Sequence, residues 1–273
     1  MITFTFGATI CDHIMFQLWP YISSQRVDHG MFQFCNNYHN INSLVAINSF
    51  MTRLNFRKTH NNRKREFKMY KRDVQEIMNI CHAKKSVLPV VTFTLSTIQA
   101  GLSTCLGQIQ DINENGSASR FCWGLKGDGY DYTRKNDAYL WGKVNHIKDT
   151  LGTESVEACV EVIMLFMRVP NLGMVKAAFV AQMFGFNVAC IDSHNIKRLG
   201  LKPSAVQTPP AKMKEASKRK KVTTYVEMCQ IEGTEYWWDT WCDHVAGNRA
   251  NKALDTGDIV SRYHVECVAA VEV

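Results

Sequence analysis

The sequence predicts a mainly α fold, and three observations carry that expectation. Apolar residues recur at helical spacing in several separate segments of the chain. The stretch 169–194, V-P-N-L-G-M-V-K-A-A-F-V-A-Q-M-F-G-F-N-V-A-C-I-D-S-H, reads as the end of one helix, a four-residue turn, a second apolar helix, a short loop and an acid opening a third helix. An apolar content of 46% and a charged content of 21% over 273 residues are those of an ordinary globular chain with enough length to bury a core.

Residues 1–50 are rich in Phe, Asn and Ile but show no clean period of 2 or 3.6, and are read as an extension; Met31 and Met51 each offer an alternative start. From Arg53 to Arg72 the chain turns basic, with Arg63, Lys64 and Arg65 at the centre, Glu66 as the lone acid, and Phe56, Phe67 and Tyr70 interleaved. Such a block neutralises phosphates and releases counterions, giving salt-sensitive, sequence-independent affinity for nucleic acid. A solvated basic arm or localisation signal is the alternative. The organisation expected is an N-terminal extension over 1–72 with its basic segment at 53–72, a folded domain over 73–248, and a C-terminal tail over 249–273.

Within the domain, Val74, Ile77, Met78 and Cys81 give residues 73–84 one apolar helical face. The run from Val87 to Ile109 reads equally as a strand or a buried helix. Asn113–Gly129 is punctuated like a loop. The nearby Phe121, Trp123, Tyr130 and Tyr132 either pack the domain edge or stack on a base. Ala138, Leu140, Val144 and Ile147 mark a helix over 137–148. After Gly152, Thr153 or Ser155 caps a helix to about Arg168, with Val156, Cys159, Val160, Ile163, Met164 and Met167 as its buried stripe.

That helix leads into the turn at 170–173. Pro170 and Gly173 bracket it, and Asn171 is among the few residues besides glycine that tolerate a left-handed backbone. Val175, Ala178, Phe179, Met183 and Phe184 follow at helical spacing, and Gly185 supplies the stop. Backbone N–H groups at such a helix start suit a phosphate. Beyond it, Lys202–Thr224 reads as a linker with Pro203, Pro209 and Pro210. It carries a second basic block of Lys212, Lys214, Lys218, Arg219, Lys220 and Lys221. Tyr225 opens further helix to Gly247, in which Trp237, Trp238 and Trp241 cement the element to the core. Residues 249–273 are read as a tail with one short strand near its end. No internal repeat is visible.

The ten cysteines (11, 35, 81, 105, 122, 159, 190, 229, 242, 267) are scattered, with no C-x-x-C pair. That pattern predicts reduced, mostly buried thiols in a cytosolic or nuclear setting, and argues against zinc ribbons and iron–sulfur frameworks. No metal or cofactor is expected. There is no run of eighteen apolar residues, and the first residues lack the basic region of a secretory signal. A soluble, intracellular monomer without a membrane partner is expected.

V-P-N-L-G-M-V-K-A (169–177) followed by C-I-D-S-H (190–194) resembles the helix-hairpin-helix and following aspartate of the endonuclease-III-like DNA glycosylase superfamily. The family pattern is L-P-G-[VI]-G-x-x-x-A, about a dozen helical residues, an aromatic–glycine ending, and [VL]-D-[TS]-H. Pro170, Leu172, Gly173, Ala177, Phe184, Gly185, Asp192, Ser193 and His194 match or come close. Asn171 stands in place of the first hairpin glycine, and the loop before Asp192 is about one residue shorter than usual. The match spans some thirty residues.

The resemblance implies two helical lobes, a cleft between them, and a nucleotide flipped from duplex DNA into that cleft. Asp192 would be the catalytic carboxylate, since cleaving an N-glycosidic bond builds positive charge on the sugar that a fixed anion stabilises. The plain alternative for Asp192 is a helix N-cap. Pro170, Asn171, Leu172 and Gly173 would present backbone to phosphate. Bifunctional members carry a lysine nucleophile where this chain has Val175. Lys176, one residue on, is turned by roughly 100° and is expected to face a backbone phosphate. Schiff-base chemistry is therefore disfavoured and water becomes the nucleophile. His194 is expected to be structural. The resemblance thus implies a monofunctional DNA glycosylase. A non-catalytic helix-hairpin-helix DNA-binding protein and a phage-type base-hypermodification enzyme on the same fold are the alternatives.

Overall fold

The fold is organised around a nine-residue helix, L-P-V-V-T-F-T-L-S, in which every residue is buried. A computed structural model of the chain describes residues 69–118, 125–193, 195–196, 200–246, 254 and 256–273. The helices are α1 (Met69–Lys84), α2 (Leu88–Ser96), α3 (Cys105–Asn115), α4 (Leu125–Leu151), α5 (Val156–Phe166), α6 (Met174–Met183), α7 (Pro203–Val206), α8 (Glu215–Glu232), α9 (Thr234–Ala246) and α10 (Gly257–Ala269). Single 3-10 turns lie at Leu102–Thr104 and Gly116–Ala118, and there is no strand among the described residues. Glu66–Val273 forms one compact unit.

The central helix is α2. A helix apolar on all sides has no solvent face and must be enclosed, and α2 is packed by α1, α3, α4, α6 and α10. Its buried start needs donors satisfied from elsewhere. The Asp137 carboxylate on α4 accepts from the amides of Val87 and Leu88 at 2.8 and 3.2 Å, and Pro89 in the first turn has no N–H to satisfy. Two of its three hydroxyls turn back on the helix, Thr94 to the carbonyl of Val90 and Ser96 to that of Phe93. The ambiguous run from Val87 to Ile109 is thus one buried helix, a 3-10 turn and the start of α3.

Around α2, α5 packs on α4, α6 and α8, while α1, α9 and α10 pack on one another. Ser155 caps α5 by accepting from the amide of Ala158 at 3.1 Å, as the sequence predicts. Gly185 ends α6 with φ +82°. The loop expected over 113–129 is corrected by α4, which opens at Leu125 and takes in Gly127 and Gly129, and the helix expected over 137–148 lies wholly within it. Residues 119–124, with Phe121 and Trp123, lie outside the described residues.

Two further expectations are corrected. The stretch read as a tail with a strand contains α10, capped by Thr256, whose hydroxyl accepts from the amide of Ile259. Val260, His264, Cys267 and Val268 recur at helical spacing and are buried against α1 and α9. The stretch read as a linker over 202–224 is helical from Glu215, where Lys218, Arg219, Lys220 and Lys221 lie in the first turns of α8 and Val222, Tyr225, Val226 and Cys229 bury its far half. A polar knot ties α10 to α1: buried Asp73 accepts from Ser261 and from Arg262 at 2.8 Å, and Arg262 also pairs with Glu76.

Candidate functional site

The turn between α5 and α6 has the conformation its sequence predicts. Asn171 adopts φ +66°, and buried Leu172 closes the turn through its amide to the carbonyl of Val169 at 3.1 Å. The turn rests on α4, where a Cβ at Gly129 would stand 2.5 Å from the carbonyl oxygen of Pro170. Gly173 is required by a second close approach: a Cβ there would lie 2.4 Å from the Thr208 hydroxyl. That hydroxyl accepts from the amide of Met174 at 3.0 Å. The first amide of α6, expected to face a phosphate, already has a side-chain partner from the segment before α8.

The loop between α6 and Asp192 is pinned by side chains that its own sequence does not announce. Buried Tyr225 on α8 donates its hydroxyl to the carbonyl of Ala189 at 2.7 Å and accepts from the amide of Ile191 at 2.9 Å. Gln182 accepts from the amide of Cys190 at 3.3 Å, and Asn195 donates to the Cys190 carbonyl at 3.1 Å. Asp192 follows at the head of a helical turn. One carboxylate oxygen accepts from the amide of Asn195 at 3.0 Å, an N-cap bond, and the other accepts from the indole N–H of Trp241 at 3.1 Å. The carboxylate is therefore held at both oxygens, with its orientation fixed from α9. His194 lies outside the described residues.

The three tryptophans of α9 do different work. Trp237 donates to the carbonyl of Cys229 and Trp238 to Ser261, both inside the core. Trp241, at the i+3 and i+4 positions from them and half-buried, reaches Asp192. All three line a cleft of about 220 Å³ together with Phe179, Gln182, Cys190, Asp192 and the residues that follow α2, among them Thr97 and Leu102. This is below the range of drug-sized sites, about 300–1,000 Å³, and suits a single flat ring better than a larger ligand. Behind the aromatic wall, buried His264 packs its ring on Trp238 and Trp241 at 4.8 and 5.3 Å. Burial pushes its pKa down to about 4, so the ring is neutral and donates from Nδ1 to the Val260 carbonyl at 2.7 Å. The thiol of Cys190, between the α6 side and Asp192, is pushed up to about 12 by burial, which leaves it unreactive near neutral pH.

Lys176 corrects the sequence expectation. It points into the cleft, where Nζ donates to the Thr97 hydroxyl at 2.8 Å and lies 5.6 Å from the centre of the Phe179 ring. The reason is tertiary: α6 packs on α2, and Thr97, just past the end of α2, meets the position three residues after Gly173. Lys176 and Asp192 therefore share one cleft.

The basic residues are placed less uniformly than their sequence blocks suggest. Arg63, Lys64 and Arg65 lie outside the described residues. Lys71 pairs with Glu235 at 2.8 Å and Arg72 with Asp258 at 2.9 Å. On α8, Lys220 is exposed and Lys218 and Lys221 are half-buried, whereas Arg219 is paired with Glu161 of α5. Among the described residues no group of three or more His, Cys, Asp or Glu is placed to hold a metal ion, and no described helix is long and apolar enough to cross a membrane. Comparison with family models, with curated proteins and with solved structures finds no match for this chain.

Proposed function

We propose that this chain binds duplex DNA as a monomer without a cofactor and hydrolyses the N-glycosidic bond of a base flipped into the cleft, with Asp192 as the catalytic carboxylate. The observation that carries the reading is the setting of Asp192. Its carboxylate follows a tight turn between two helices with Asn171 left-handed, is gripped at both oxygens, and borders an aromatic cleft sized for one ring. A fixed anion at that place stabilises the positive charge that develops on the sugar and can accept the proton of the attacking water. The cost of reorienting it has been met in folding, which is the condition for electrostatic preorganisation.

The DNA contacts in this reading are backbone and charge. The turn at 170–173 and the free lysines of α8 would face phosphate, with Arg63, Lys64 and Arg65 adding affinity. The Thr208 hydroxyl on the amide of Met174 must either stay as part of that contact or move aside.

The test is a set of duplex oligonucleotides, each with one damaged or modified base, assayed for abasic sites. Wild-type protein is expected to release at least one base. Asp192→Asn is expected to abolish release while leaving binding within about twofold, since the phosphate contacts are untouched. Unchanged turnover in that variant removes Asp192 from the chemistry. Binding without turnover by the wild type favours a non-catalytic helix-hairpin-helix protein. Conversion of the base without its release favours a modifying enzyme.

A further inference from the structure

The cleft brings a cation to a reaction that, as read above, makes positive charge on a sugar. That combination restricts where the cation can be useful. Breaking an N-glycosidic bond separates charge, positive at C1′ and negative on the departing base. A lysine ammonium beside the sugar opposes the reaction; beside the base it favours it. Lys176 is also fixed. Its Nζ is tethered to the Thr97 hydroxyl at 2.8 Å and stands 5.6 Å from the centre of the Phe179 ring, so the ammonium sits over the aromatic wall on which a flat heterocycle would stack. Asp192 is held separately, by the Asn195 amide and the Trp241 indole. Each charge keeps its own anchor, and the two meet in the cleft they both line.

We propose that Lys176 is a second catalytic residue, the acid that protonates the leaving base while Asp192 serves the sugar. This rests on the glycosidic reading of the cleft. The C1′–N bond breaks with its electron pair going to the base, and a proton passes from Lys176 Nζ to a ring nitrogen or carbonyl oxygen of that base. Water adds its oxygen to C1′ and gives a proton to Asp192. Lys176 regains a proton from solvent and Asp192 releases one, so the sum is one water consumed, one hemiacetal and one neutral base formed. The substrate class follows: a base that leaves as an anion and needs a proton, in preference to a cationic alkylated purine that leaves neutral.

The experiment compares two duplexes of one sequence, one carrying a neutral modified base and one an N7-methylated guanine, under single-turnover conditions. Lys176→Met keeps the stem over Phe179 and removes the charge; Lys176→Gln keeps a donor to Thr97 and guards against a folding defect in the first variant. Both are expected to slow release of the neutral base about 100-fold or more, and release of the methylated guanine no more than about threefold. Equal slowing of the two bases, or slowing of neither, overturns the assignment. So does a borohydride-trapped adduct that forms with the wild type and is lost in Lys176→Met, which would make Lys176 a nucleophile, and so does release of the cationic base alone. A wild type that releases no base from the whole set of duplexes sinks the glycosidic reading itself, an outcome distinct from a selective failure of the Lys176 variants.

Discussion

A single absent methyl group decides whether the hairpin can sit where it does. Gly129 and Gly142 both lie inside α4, where glycine costs about 1 kcal/mol relative to alanine. At Gly142 a Cβ meets nothing within 4 Å, so Gly142→Ala should stabilise the protein by about that amount. At Gly129 the same methyl would be 2.5 Å from the Pro170 carbonyl and 3.1 Å from Leu95. The nearest of these is backbone and the other belongs to α2, so neither yields cheaply. An overpacking cost of about 3 kcal/mol exceeds the propensity gain, and Gly129→Ala should destabilise by about 2 kcal/mol net. Urea midpoints of the two variants, moving in opposite directions, check this; a shift of the same sign in both would mean that the turn at 170–173 does not rest on α4. The residue scale also shows where the sequence was readable. Asn171 and Asp192 were legible because their roles are local, a left-handed turn and an N-cap. Lys176, Trp241 and Tyr225 were not, because what each touches is set by a helix elsewhere in the chain.

Elements divide in the same way. Helices α5 and α6 were legible, the first from a one-sided apolar stripe and a Ser cap, the second from the turn before it and the glycine after it. The period carries no information in α2, where every residue is buried, and a strand and a helix are then indistinguishable by pattern. In α10 the buried stripe includes Ser261 and His264, so its apolar period is broken. What makes Ser261 admissible is Trp238, 23 positions away, and Asp73, 188 positions away, while His264 is packed on the rings of Trp238 and Trp241. The basic start of α8 looked like linker because its outer turns have no core face. That element carries a prediction of its own. If Lys218, Lys220 and Lys221 meet phosphates, replacing all three by Gln should reduce the slope of log affinity against log salt by about 2.7. Arg219→Gln should change that slope less than Lys220→Gln does, because the Arg219 guanidinium is paired with Glu161. Filter-binding across a salt series measures both. An unaltered slope in the triple variant removes α8 from the interface.

At the scale of the whole molecule, folding has enclosed ionisable groups whose pH responses oppose one another. His264 is fully buried, and burial lowers its pKa from the ordinary 6.5 to about 4, with the Val260 carbonyl acting in the other direction. The unfolded chain therefore binds a proton at this residue between pH 6.5 and 4 when the folded chain does not. Its contribution is intact above 6.5 and is lost as pH falls towards 4, by about 3 kcal/mol at 1.4 kcal/mol per pH unit. Asp239 on α9 behaves in reverse. Burial raises its pKa to about 7, against the pull of the Tyr70 amide on its carboxyl. The folded chain holds that proton after the unfolded chain has lost it, so this contribution is intact on the acid side and fades as pH rises towards 7. The two should nearly cancel, leaving a stability plateau across the window. Asp73, although burial pushes its carboxyl up, is drawn below its usual range by hydrogen bonds from Arg72, Ser261 and Arg262, so its contribution is lost only at more acid pH, where the plateau ends. Single variants expose the hidden slopes. His264→Phe should be relatively more stable at about pH 4.5 than at pH 7 compared with the wild type, and Asp239→Asn relatively more stable at about pH 7 than at pH 4.5. Urea unfolding of the three proteins at both pH values decides it. Parallel pH profiles would mean that neither group is titrating from inside the core, and the aromatic wall behind Asp192 would then have to be open to water.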